Sequence, residues 1–248
     1  MNIKNLFIVW ALTATILLAE DFLPGGVFVK SAIDVSKINS VSPTKTDTLP
    51  LIIGKTYWSL DNILEVLTAE KQTAEFQFSN GALVKVMPSS EFRIDSFNSM
   101  VSNSDSQPEI AKFTDTLLNL ALMNGESFIV IPSHNSPNTM CVLQTPLANI
   151  ELNGSKVLVK ASPKFVIAYI VEGKIAVIDS KTNKKEEIKQ GQMAFIVPFP
   201  GESHVIVTSK AIEPGELLKQ MNMVKELEST KESVIFAVID KKIVGIRK

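Results

Sequence analysis

Turn-forming glycines at short intervals constrain this chain more than any other feature. Asn-Gly occurs three times, at Asn80-Gly81, Asn124-Gly125 and Asn153-Gly154. Both central residues of a type I′ hairpin turn need positive φ, and Asn-Gly supplies that at the least steric cost. Glu172-Gly173 and Gln190-Gly191 read as two more turns. Between them lie the runs AEFQF, ALVKVM, EFRID, ESFIVIP, MCVLQ, KVLVKA, FVIAYIV, KIAVID and MAFIVP. Short β-prone runs separated by glycine turns predict a mainly β fold: a sandwich, a barrel or a solenoid. FVIAYIV is apolar throughout, which suits a strand buried on both faces. KTNKKEE reads as a solvated loop.

The flanks have a different texture. An apolar run from Leu6 to Ala19 follows Lys4 and precedes Glu20 and Asp21. Its length suits a signal-peptide core better than a membrane span of about 20 residues. Residues 1–19 are therefore expected to direct export, cleaved as a signal peptide or retained as an anchor, so any membrane contact is through this segment if it is uncleaved. Residues 20–50 are expected to be a linker, because SAIDVSKINSVSPTKTDTLP is rich in Ser, Thr, Asp and Pro. In SLDNILEVLTAEK the spacing of Leu60, Ile63, Leu64 and Leu67 predicts a short helix, with Ser59 or Asp61 as cap. IAKFTDTLLNLALMN admits a helix by periodicity, and Leu117–Met123 before Asn-Gly also reads as a strand entering a hairpin. Near the C-terminus, EPGELLKQMNMVKELEST predicts a helix with Leu217, Leu218, Met221, Val224 and Leu227 on one packing face. VIFAVID-KK-IVGI then reads as a hairpin.

Little in the sequence suggests chemistry. Lys plus Arg number 25 against 26 Asp plus Glu, so no charge excess marks a nucleic-acid or anionic-membrane surface. No phosphate loop, dinucleotide fingerprint, nucleophile elbow or paired-carboxylate pattern occurs. The single cysteine, Cys141, lies in an apolar run, so a buried thiol is expected and stability rests on packing without a disulfide. The two histidines, His134 and His204, both sit beside turns.

Two resemblances bear on function. Gly191, Pro198-Phe-Pro-Gly201 and His204 resemble half of a cupin barrel, in which a histidine after a Pro-Gly turn binds metal. Gly201 to His204 keeps the expected spacing, the prolines are each displaced by one residue, and the second cupin motif is missing. A metal site wants three or four converging ligands, which two histidines would share with carboxylates. The second resemblance covers about half the chain. TAEFQFSNGALVKVMPSSEFRI, LALMNGESFIVIP, TPLANIELNGSKVLVKA, AYIVEGKIAVID and IKQGQMAFI occur in order and resemble the units of a FecR-type domain, the periplasmic part of the iron-dicitrate sensor and regulator family. Ser155 stands where that pattern usually has Thr.

The FecR resemblance implies an elongated, coiled or solenoid-type β-domain that binds partners and does no catalysis. It spans residues 51–210, best matched over 73–198, and is followed by a helix and hairpin over 211–248. The family's regulators carry a cytoplasmic segment before the membrane span; only about five residues precede the apolar run here, so the direct gene-regulatory role is not expected to carry over. The leading expectation is an exported, non-enzymatic module that binds an envelope protein or wall component, with no cofactor, metal or nucleic acid. The alternatives are a cupin-like metal enzyme or sugar binder using His204, and a structural protein that self-associates through strand edges. The residues singled out are structural: the turn glycines Gly81, Gly125, Gly154, Gly173 and Gly191, where positive φ is required.

Overall fold

The structure is a computed structural model that describes residues 22–247 except 36, 43, 59–62, 103–111, 134–138, 202–203, 230–233 and 240–241. Three long strands organise it: β10 (Lys112–Ile131), β12 (Ala148–Ala161) and β13 (Val166–Asp179). Each bends at a glycine and changes partner there. Up to Asn124, β10 pairs with β9 (Glu91–Ser102); from Gly125 it pairs with β8 (Leu83–Val86) and the second half of β12. The first half of β12 pairs with β11 (Met140–Gln144). The first half of β13 pairs with β15 (Gln192–Pro198), and its second half with β14 (Lys185–Lys189).

The result is one sheet folded into two layers along a seam. The first layer runs β5 (Thr56–Trp58), β2 (Gly26–Ile33), β7 (Thr73–Phe78), β8, β10, β12, β13, β15 and β16 (Val205–Ala211). The second runs β4 (Thr46–Pro50), β3 (Lys37–Val41), β6 (Ile63–Leu67), β9, β10, β11, β12, β13 and β14, with β1 (Phe22–Pro24) also on β9. β11 is a wedge: it lies parallel to β10 and antiparallel to β12, prising the two apart in the second layer only. The sheet is open, with β16 and β14 each paired on one side, so the closed barrel of the cupin reading is not formed.

Alternation buries one face of each layer against the other. Val84, Ile129, Val157, Val159, Ala168 and Ile196 of the first layer share one cluster with Phe92, Ile94, Leu118, Leu120, Leu143 and Val177 of the second. Cys141 is part of this core. The opposite face of the first layer carries Leu83, Phe128, Val130, Leu158 and Val171, which α1 (Pro214–Ser229) covers through Val224 and Leu227. The helix is where the sequence places it, but its buried positions are Gln220, Val224 and Leu227, while Leu218 is 59% exposed. The packed face is rotated from the expected one, towards Gln220 and away from Leu218 and Met221.

A hairpin of β17 (Val234–Ile239) and β18 (Lys242–Arg247) packs on β2 through Phe236, Ile243 and Phe28. Trp58 Nε1 donates to the Ile243 carbonyl at 2.6 Å, and Gly245 N–H donates to Thr56 Oγ1 at 2.9 Å. The last strands thus close over the first.

Three expectations are corrected. The described residues between 22 and 50 do not form the expected 20–50 linker: β1 to β4 lie there, and β2 buries Val27, Phe28 and Val29 completely or nearly so. The helix expected around Leu60–Leu67 is strand β6 over its described residues. Leu64 and Val66 are buried, a period of two, because pairing with β3 and β9 outweighs the local helical spacing. Asn124-Gly125, Asn153-Gly154 and Glu172-Gly173 are not hairpin turns but bends inside continuous strands. Asn80-Gly81 does form a hairpin between β7 and β8, closed by Phe78 N–H to the Ala82 carbonyl at 2.9 Å.

Candidate interaction site

All five singled-out glycines have positive φ: Gly81 85°, Gly125 97°, Gly154 58°, Gly173 78° and Gly191 77°. Three of them line the seam, where backbone meets backbone. A Cβ on Gly173 would sit 2.1 Å from the Gly154 carbonyl oxygen, and one on Gly125 would sit 2.3 Å from Ser90 Oγ. Ser90 lies at the corner between β8 and β9, and its hydroxyl accepts the Glu126 N–H at 2.9 Å. Gly191 is the corner between β14 and β15, which carries the chain from the second layer to the first; its N–H donates to the Ile170 carbonyl at 2.8 Å.

That last corner builds a groove. β14 and β15 lie beside the two halves of β13, one in each layer. The first layer then adds β16, while the second layer stops at β14. The inner face of β16, with Val205 and Val207, therefore overhangs a position where the second layer has no strand among the described residues. A groove of about 420 Å³ lies there, between Lys184 and Glu186 on one side and Phe199, His204, Val205 and Val207 on the other. The His204 ring stacks on Phe199, centroids 4.7 Å apart and planes 18° off parallel.

Asp179 fixes the groove's end. Its carboxylate accepts N–H bonds from Lys181 at 2.8 Å, Thr182 at 3.3 Å and, across the gap, Val205 at 3.1 Å. Burial works to raise its pKa, but these N–H donors outweigh it and bring the group down from 3.8 to about 2. The loop of KTNKKEE is thereby tied to the start of β16. The sequence offered only a hint of this role, an Asp closing an apolar strand before a polar loop.

Charges on β14 are sorted by face. On its outer face Lys185 meets Glu151 at 2.5 Å and Glu187 meets Lys174 at 2.7 Å. On its inner face Ile188 is buried, and Glu186 lines the groove with no ion pair among the described residues. Elsewhere, Lys156 on β12 meets Glu172 of β13 at 2.8 Å and ties α1 to the sheet through Glu228 at 3.0 Å. Burial works to lower the Lys156 pKa, and these two carboxylates raise it further than burial lowers it. Beyond the helix, Ile167, Met193 and Phe195 leave an apolar strip in front of β16.

His204 stands beside Phe199 in the groove, and His134 lies outside the described residues. Among the described residues, no three His, Cys, Asp or Glu side chains gather as metal ligands would. Burial pushes the Cys141 thiol far up, away from the thiolate a nucleophile requires.

Residues 65–176 match the family model described as FecR protein, and the chain carries a FecR domain over that span. The match begins in β6 and ends in β13, so it contains Gly81 and the three seam glycines and stops just short of the groove. Two crystal structures of a candidate anti-sigma factor from Parabacteroides distasonis ATCC 8503 are similar to this chain. They are 10% and 11% identical to it, with TM-scores of 0.47 and 0.44. The alignments cover 75% and 74% of this chain and 99% of each of those chains. No curated protein matches the chain.

Proposed function

We propose that this protein is a non-enzymatic binding and sensing module of the cell envelope, exported through its N-terminal segment. The observation that carries this reading is the FecR domain over residues 65–176. Export is supported by the apolar run Leu6–Ala19 behind Lys4. Binding is supported by strands β14 and β16, whose outer edges are unpaired among the described residues and present backbone donors and acceptors to a partner. An open sheet and a His204 engaged with Phe199 weigh against the cupin reading.

The test is chemical crosslinking of the tagged protein in its native envelope, with captured partners identified by mass spectrometry. Reproducible capture of a membrane regulator or transporter supports a sensing module. Capture of only the protein itself, or only wall material, favours the structural reading and removes sensing from the description. A metal that copurifies with the protein and is lost in His204→Ala would overturn the non-enzymatic reading.

A further inference from the structure

We infer that the groove beneath β16 is a strand-docking slot for an extended peptide that pairs with the free edge of β14. The inference rests on the binding-module reading and names its ligand chemistry: alternating apolar side chains with one Lys or Arg among the inward-pointing positions.

Three observations converge. First, among the described residues β14 is paired only with β13, so its other edge offers the ladder groups of residues 185–189. Second, the space beside that edge is already roofed by Val205 and Val207 of β16 and is walled at one end by Phe199 and His204. A strand laid against β14 would supply the strand that the second layer lacks opposite β16. Its inward side chains would meet Val205 and Val207, which are partly buried against the main core and gain by being covered. Third, the slot is charge-marked. Glu186 points into it without an ion pair among the described residues, whereas its neighbours Lys185 and Glu187 are paired on the outer face. An inward Lys or Arg would complement Glu186.

The same charges disfavour a second copy as occupant. Antiparallel pairing of KEEIK with itself about Glu187 sets Glu187 against Glu187 and Lys185 against Lys189, like-charged pairs that destabilise a sheet.

The test uses the folded protein and two peptides, Thr-Val-Thr-Lys-Thr-Val-Thr and the same sequence with Glu for Lys. Binding is followed by fluorescence anisotropy and by backbone amide shifts. The expected result is shifts confined to residues 184–189 and 205–207, with the Lys peptide favoured roughly five-fold. Glu186→Lys should reverse the preference; this partly exposed position tolerates the change, and an unchanged unfolding midpoint confirms that the variant is folded. Equal affinity for both peptides overturns the proposal, as does a lack of binding, or shifts at the outer edge of β16 instead. Concentration-dependent dimerisation through β14 also overturns it. If Glu186→Lys still captures its envelope partner undiminished, the slot is wrong while the binding-module reading stands; if the unaltered protein captures none, that reading itself fails.

Discussion

Gly173 rests directly on the backbone of Gly154: a Cβ at 173 would approach the Gly154 carbonyl oxygen to 2.1 Å. Backbone cannot retreat as a flexible side chain does, so Gly173→Ala combines a forced shift with a φ of 78°. Gly191 has nearly the same φ, 77°, but open space at its Cβ. Gly191→Ala should cost about 1–2 kcal/mol from backbone strain alone. Gly173→Ala should cost about 3 kcal/mol or more. Urea unfolding of both variants measures the difference; equal losses would mean that the seam contact contributes nothing.

Asp179 gives a pH signature. Its carboxyl titrates near 3.8 when unfolded and near 2 when folded. The folded state favours the charged form, so its contribution is fully present above 3.8 and fades as pH falls through the folded value of about 2. Asp179→Asn should destabilise by about 1–3 kcal/mol at neutral pH. The gap should narrow as the pH is lowered across that window. A gap independent of pH would show that the charge on Asp179 is not what holds the loop to β16.

Leu227 is 1% exposed and anchors α1 to Phe128 and Leu158. Leu227→Ala should cost about 2–4 kcal/mol. It should also increase hydrogen exchange across 214–229 before the rest of the chain opens. Loss of protection spread evenly over the sheet would instead mean that the helix and sheet unfold together.

Cys141 reports on the wedge strand β11, which buries it in the main core. A thiol reagent at pH 8 should leave the native protein unmodified and label it fully in urea. Fast labelling without denaturant would place β11 outside the sheet.

Part of this was legible in sequence, and the failures have physical reasons. Glycine positions carried the most information, because positive φ is a local demand that only glycine meets cheaply. Whether such a glycine turns the chain back or merely bends a strand is decided by which strands lie alongside. Gly125, Gly154 and Gly173 bend because their neighbours change at those points, and nothing local to Asn-Gly encodes that. β3 and β4 resemble a linker in sequence because their residues are mostly polar; they form strands because β3 pairs with β6 and β4 with β3. The groove was invisible in sequence because it arises from a difference in strand number between two layers. Asp179, Glu186, Val205 and Val207 meet only once β13 has bent.

The hairpin of residues 234–247 closes over strands that begin at residue 26, and Trp58 waits for a carbonyl 185 positions later in the chain. Such late contacts mean that a growing polypeptide leaves Phe28 without its Phe236 and Ile243 cover until residues 236–243 have been made. The early strands therefore finish packing only after some 185 further residues have followed Trp58, and any chaperone that holds them must wait that long. The order of manufacture, from first strand to final clasp, is written into which residues touch.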